Sequence, residues 1–175
     1  MSPEVNPPEL VPEARVARRL GILGGSFDPP HGGHLHMARV ARAARDLDHV
    51  LFVPAARPPH KPDRRLASGA ERVHMLELLL ADQSHVSIWT NELERAGPSY
   101  TIDTVEALRE ELGPRPIFFL ILGSDNLAGL PRWHRVEDLL ALVEPIVIPR
   151  RGAPVDPPEL DGLAPALRER VRAGV

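Results

Sequence analysis

Cysteine is absent from the 175 residues, so no disulfide, thiolate metal site or cysteine nucleophile is available. No apolar run is long enough to span a bilayer. The opening "MSPEVNPPELVPEARVARRL" lacks the apolar core of a signal peptide. Lysine is nearly missing: Lys61 is the only one, against many arginines, a compositional trait from which no function is drawn. Neither sign of charge is in large excess. The 21 basic and 24 acidic residues leave a net charge of −3, which gives no reason to expect general binding to nucleic acid or anionic membranes. These features predict a soluble, cytoplasmic protein without a nucleic-acid or membrane partner, and they are silent on oligomeric state. No internal repeat is visible. What is present suffices for one domain with a core: 175 residues, 43% of them apolar.

Residues 1–18 are proline-rich without apolar periodicity and read as a flexible extension. Residues 19–175 read as a single domain. "LGILG" (20–24), "HVLFVP" (49–54), "VSIW" (86–89), "IFFLILG" (117–123) and "PIVIP" (145–149) are strand candidates. Helical periodicity covers 34–47, with Leu35, Ala38, Ala41 and Ala44 on roughly one face. Ser68 and Glu71 form a capping box for a helix to about Asp82. Ser99 or Thr101 can cap a helix that stops at Gly113-Pro114. Further helices are predicted over 135–142 and 164–172. Alternating strands and helices predict an α/β fold with a parallel sheet covered on both faces. Ligands of such sheets bind at the carboxyl ends of strands, near a switch in strand order. The end of the first strand and Gly123-Ser124-Asp125, on a strand expected beside it, both lie there.

The stretch "LGGSFDPPHGGHLHMA" (23–38) carries the chemistry. Gly24 and Gly25 permit a sharp turn and close approach to a ligand, and Gly32 and Gly33 do the same beside a helix start. The exposed N–H groups and positive dipole end of that helix suit an anion. His31 and His34, three apart, share a face if both lie on the first turn, and a nearby polyphosphate favours their charged form. The stretch has neither the Walker lysine spacing nor the dinucleotide fingerprint. Metal ligation by these histidines, with His36 nearby, finds no carboxylate at helical spacing before Asp46, so no metal ligand is assigned. A plain glycine-rich turn with surface histidines is the alternative.

"GGSFDPPHGGH" resembles the H-x-G-H signature of the nucleotidyltransferase superfamily. "RPPHKP" (57–62), "ERVHML" (71–76), "SYTIDTVEAL" (99–108), "LGSDNLAGLPRW" (122–133) and "IPRRG" (148–152) follow in an order that resembles the bacterial nicotinate-nucleotide adenylyltransferase family, over about 19–152. The resemblance implies a Rossmann-like, doubly wound nucleotidyltransferase domain. It implies transfer of the adenylyl group of ATP to nicotinate mononucleotide, with Mg²⁺ bound with ATP, giving deamido-NAD and pyrophosphate in NAD biosynthesis. It places His31 and His34 on the ATP phosphates as catalytic residues, and Gly25 and Ser26 beside those phosphates. Gly123 and Asp125 would hold the adenosine ribose. Trp133 would stack on the pyridine ring, the backbone at Tyr100 and Thr101 would receive the nicotinate carboxylate, and Lys61, with His60, would sit in a mobile substrate loop.

Other roles compete: Trp133 as a core anchor, Asp125 as a helix cap, Ser99 and Thr101 as caps only, and Arg150 and Arg151 as solvated charges. The resemblance also implies a Ser/Thr-Ser-x-x-Ile-Arg element on the triphosphate. No serine follows Ser124 and the tail "LAPALRERVRAGV" has no equivalent, so the C-terminal part of the domain is expected to be incomplete. Phosphopantetheine adenylyltransferase shares H-x-G-H but not the pairing of "SYTIDT" with "GSD…W". A non-catalytic nucleotide-binding domain is the alternative of another class.

Overall fold

A computed structural model describes residues 9–57 and 66–175. Five strands form one sheet: β1 (Arg19–Gly25), β2 (His49–Pro54), β3 (Val86–Ile88), β4 (Ile117–Gly123) and β5 (Glu144–Ile148). All neighbours are parallel, in the order β3-β2-β1-β4-β5. The chain runs outward from β1 to β3, then returns to the other side of β1 with β4. The switch in strand order therefore falls between β1 and β4, where Ile22 is in register with Leu120. Crevices at such a switch open at the carboxyl ends of the strands, here Gly25 and Gly123.

The strands lack apolar–polar alternation because both faces are buried. Phe118, Leu120 and Leu122 of β4 enter one core, and Phe119 and Ile121 the other. The helices divide likewise. α2 (Gly32–Arg45) and α3 (Gly69–Leu80) cover one face, burying Met37, Ala38, Ala41, Leu76 and Leu80. α5 (Thr101–Leu112), α6 (Val136–Leu142) and α7 (Pro165–Ala173) cover the other. The short α4 (Asn91–Glu94) leads from β3 toward α5.

Residues 9–18 depart from the flexible extension expected over 1–18. They contain α1 (Pro12–Val16), and Leu10, Ala14 and Ala17 are buried in the core shared with α5 and α6. A leucine and two alanines among prolines and charges produce no visible periodicity, yet the short helix between Leu10 and Ala17 brings all three into the core. Residues 1–8 lie outside the described part. Among the described residues, no helix is long and apolar enough to cross a membrane.

Helix starts show the largest local differences. The Ser68–Glu71 capping box forms as the sequence predicts. The start of α5 does not follow expectation: Tyr100 is its N-cap, and no side chain caps it. Ser99 Oγ instead accepts the backbone N–H groups of Ala56 (2.9 Å) and Arg57 (3.2 Å), joining the end of β2 to α5.

Candidate active site

A cleft of about 450 Å³ opens at the carboxyl ends of β1 and β4. Gly25, Ser26, His31 and His34 line one side, and Tyr100, Thr101, Trp133 and His134 another. Gly123, Asp125 and Arg150 lie between them. The fold thus gathers in one cleft every residue to which the family resemblance gave a role except Lys61 and His60, which lie outside the described residues. A second hollow, about 930 Å³, runs along α2 at the amino ends of the strands, past Arg18, Arg39, Asp48 and His85, and contains none of the motif residues.

His31 and His34 do not share the first helical turn as the spacing suggested. His31 is the N-cap of α2, in extended backbone, and His34 is its third residue. His31 Nδ1 accepts the N–H of Gly33 (3.1 Å), and His34 Nδ1 accepts the N–H of His31 (3.2 Å). Two imidazoles thereby make the reciprocal pattern usually built from Ser/Thr and Glu. An Nδ1 that accepts cannot carry the proton, so in each neutral ring the proton sits on Nε2. The rings lie 3.9 Å apart between centroids. Burial, then the nearby His31 and Arg150, lower the His34 pKa to about 4. His34 is therefore neutral near pH 7. Its donor is a fixed Nε2–H, and a polyphosphate, beside which the charged form is expected, would act against this depression.

The wall behind His34 is aromatic. Phe27, 1% exposed, meets the His34 ring edge-on at 5.0 Å and Phe52 at 5.7 Å. Phe27 has a φ of 49°, uncommon for a bulky residue, and its packing on both rings holds it there. A Cβ at Gly25 would meet the Phe27 ring at 3.1 Å, so glycine lets this ring fold under the loop. Arg72 supports the loop from α3: Nη1 donates to Ser26 O at 2.7 Å and Nε to Ala67 O at 3.0 Å. "ERVHML" marked this segment, but nothing in the sequence singled out a buried arginine within it.

At the tip of β4, Asp125 pairs with Arg150 at 3.0 Å. A Cβ at Gly123 would stand 2.3 Å from Asp125 Oδ1, so the bare backbone there allows the carboxylate to fold back over it. Asp125 makes no side-chain cap for the short 3₁₀ turn Ser124–Asn126. The buried Ser124, to which the sequence gave a place but no role, donates to Ala153 O (3.1 Å) and accepts from Arg150 N (2.9 Å), fixing the segment that carries Arg150. Arg150 is thus a cleft residue and not simply a solvated charge.

On the far side, Trp133 is partly buried against the core and also lines the cleft. Tyr100 stacks on His134 with centroids 4.3 Å apart. Glu92, a buried carboxyl that sequence reading missed, lines the same cleft. Burial pushes its pKa up, against hydrogen bonds from Thr104 and Ser99 and the charge of Arg95.

Two histidines make folding sensitive to mild acid. His49, 3% exposed, has its pKa lowered mainly by burial, as does His34. Each binds a proton more weakly folded than unfolded. Their contribution to stability is complete above the ordinary histidine pKa, about 6.5, and is lost as pH falls below it. Calorimetry at pH 7.5, 6.0 and 5.0 should show Tm decreasing over this range, and less steeply in His49→Gln. An unchanged Tm would contradict the burial of both rings.

The cytidylyltransferase-like family model matches residues 22–170. A Bacillus pumilus protein named "Probable nicotinate-nucleotide adenylyltransferase" is 39% identical over 163 residues, covering 88% of this chain and 86% of the relative. A Gloeobacter violaceus protein of the same name is 45% identical over 142 residues, covering 81% of this chain and 68% of the relative. Among solved structures, Plasmodium falciparum nicotinic acid mononucleotide adenylyltransferase complexed with NaAD superposes with a TM-score of 0.67 at 23% identity, covering 83% of this chain and 71% of that one. This last likeness concerns the fold, which is Rossmann-like and doubly wound. By the family match across most of its length and by its curated relatives, the chain belongs to the cytidylyltransferase-like family and, within it, to the nicotinate-nucleotide adenylyltransferases.

Proposed function

We propose that this chain transfers the adenylyl group of ATP to nicotinate mononucleotide, in NAD biosynthesis. A phosphate oxygen of the mononucleotide attacks the α-phosphorus, the bond to the leaving oxygen breaks, and deamido-NAD and pyrophosphate result. The observation that supports this most is the single cleft. It sets two Nε2–H donors on one side, an uncapped helix start and an indole on the other, and Arg150 between them. The attacking group belongs to the substrate, so no activated protein nucleophile is required. His31 and His34 donate to phosphate oxygens that gain charge as the bond breaks. Gly25 and Ser26 let the phosphates approach the backbone. Gly123 and Asp125 hold the ribose, with Asp125 exchanging Arg150 for ribose hydroxyls and Arg150 turning to the phosphates. The remaining barrier is lowered by positioning.

Mg²⁺ is part of the same reading. Among the described residues, no group of three or more His, Asp or Glu could hold a metal ion. The ion would come with the triphosphate, as Mg²⁺ commonly does, and supply charge neutralisation there. The deciding experiment is incubation with ATP, Mg²⁺ and nicotinate mononucleotide, nicotinamide mononucleotide or phosphopantetheine, with pyrophosphate release as readout. Release with phosphopantetheine alone would overturn the assignment. No release with any acceptor would favour a binding domain.

Trp133 supplies a second test. Trp133→Ala should raise KM for the mononucleotide by the equivalent of about 0.5–1.5 kcal/mol of stacking and leave KM for ATP unchanged. A pure core anchor would instead lower Tm strongly and affect both substrates alike.

A further inference from the structure

Ser99 and Thr104 flank the start of α5, and one buried carboxyl joins them. Thr104 Oγ1 lies 2.5 Å from Glu92 Oε1, to which it donates. Ser99 also hydrogen-bonds Glu92. Ser99 Oγ already accepts two backbone N–H groups, so its own proton goes to the carboxyl. Arg95 Nη2 donates to Thr104 Oγ1 (3.2 Å) and to Tyr100 O (3.4 Å), and Nη1 to Asn91 Oδ1 (3.2 Å). Glu92 is 6% exposed and itself lines the cleft.

This arrangement has a consequence for the helix start. The N-cap position belongs to Tyr100, whose side chain makes no bond to the first N–H groups. Ser99, one residue earlier, is engaged by Glu92 on one side and by the β2 loop on the other, which fixes the chain entering the helix. The start of α5 remains uncapped by any side chain, with Tyr100 and Thr101 at the cleft. Thr104, one turn further along, anchors the same helix to the same carboxyl.

We propose that Glu92 is a positioning residue for acid-over-amide selection: through Ser99 and Thr104 it anchors the start of α5 so that its N–H groups are aimed at the carboxylate of the pyridine ring. The assignment rests on the adenylyltransferase reading above. Glu92 contacts the helix, not the reacting atoms, so its loss affects recognition of the mononucleotide rather than the chemical step.

The test is KM for ATP, nicotinate mononucleotide and nicotinamide mononucleotide in Glu92→Ala, Glu92→Gln, Ser99→Ala and Thr104→Val, with Tm measured for each. Glu92→Ala should raise KM for the nicotinate substrate by about fivefold and lower the acid/amide ratio equally, with KM for ATP unchanged, a change of about 1 kcal/mol. Glu92→Gln keeps the volume and one acceptor, and should fall between Ala and wild type. If Glu92→Ala does not fold, Ser99→Ala and Thr104→Val carry the same expectation. Folded variants that keep the wild-type acid/amide ratio, or that raise KM for ATP equally, overturn the assignment alone. A wild-type chain that uses neither mononucleotide overturns the function reading and this assignment with it.

Discussion

Replacing His34 with alanine is expected to lower kcat by about 10²–10³-fold while changing KM for ATP little. The ring is already fixed before substrate arrives. Its Nδ1 is bound by the His31 N–H, and its face is set by Phe27. A donor held in place without substrate needs no reorganisation when charge builds on the phosphate, which is where such groups contribute most. Because His34 is neutral, its Nε2–H acts first as an oriented dipole. Bound polyphosphate would raise its proton affinity and strengthen the bond as charge develops.

Two substitutions separate this role from the helix cap. His34→Asn keeps a short acceptor near Nδ1 but removes the Nε2 donor. It should retain stability and lose turnover. His34→Gln places an amide N–H near the Nε2 position and should recover part of kcat while losing the cap. Alanine removes both, at a cap cost of about 0.5–2 kcal/mol in stability. A single-turnover measurement at saturating substrates isolates the chemical step. An alanine variant with near-normal turnover would remove His34 from the catalytic set.

The sheet was legible because a parallel strand buried on both faces is a short apolar run bounded by glycine or proline, as in "LGILGG" and "IFFLILG". The Ser68–Glu71 box was legible because its residue types are local and specific. The box at α2 was not, since His31 and His34 do the same work through Nδ1 atoms, outside the usual Ser/Thr–Glu pattern. Ser99 misled for the opposite reason. Its type and place fit a cap, but a carboxyl seven residues earlier and a loop some forty residues earlier claim its hydroxyl. Arg72 and Glu92 are charged residues on helices, and charge in a sequence reads as solvent exposure. Only the fold shows that one reaches beneath the Ser26 loop and the other anchors Thr104 of α5. Leu10, Ala14 and Ala17 were hidden among prolines. Gly25 and Gly123 were legible as neighbours because they end two adjacent strands.

Nicotinate mononucleotide is expected to be used in preference to nicotinamide mononucleotide by at least tenfold in kcat/KM. The start of α5 is the reason. Its N-cap Tyr100 makes no side-chain cap, and the first carboxylate on the helix is Asp103. A ring carboxylate placed there accepts backbone N–H groups and gains about 0.3–1 kcal/mol from the helix dipole. Those bonds are charge-assisted, roughly twice as strong as neutral ones. An amide offers one acceptor and turns its NH₂ toward a second donor, leaving a buried N–H unpaired at about 1–3 kcal/mol. Both effects favour the acid, and about 1.4 kcal/mol is enough for tenfold. Because the donors belong to the backbone, the preference should survive replacement of any single exposed arginine, such as Arg132→Ala. Competition between the two mononucleotides at equal concentration, with the dinucleotide products separated by chromatography, measures the ratio directly. Equal use, or preference for the amide, would remove the helix start as the selecting element while leaving adenylyl transfer at His31 and His34 untouched.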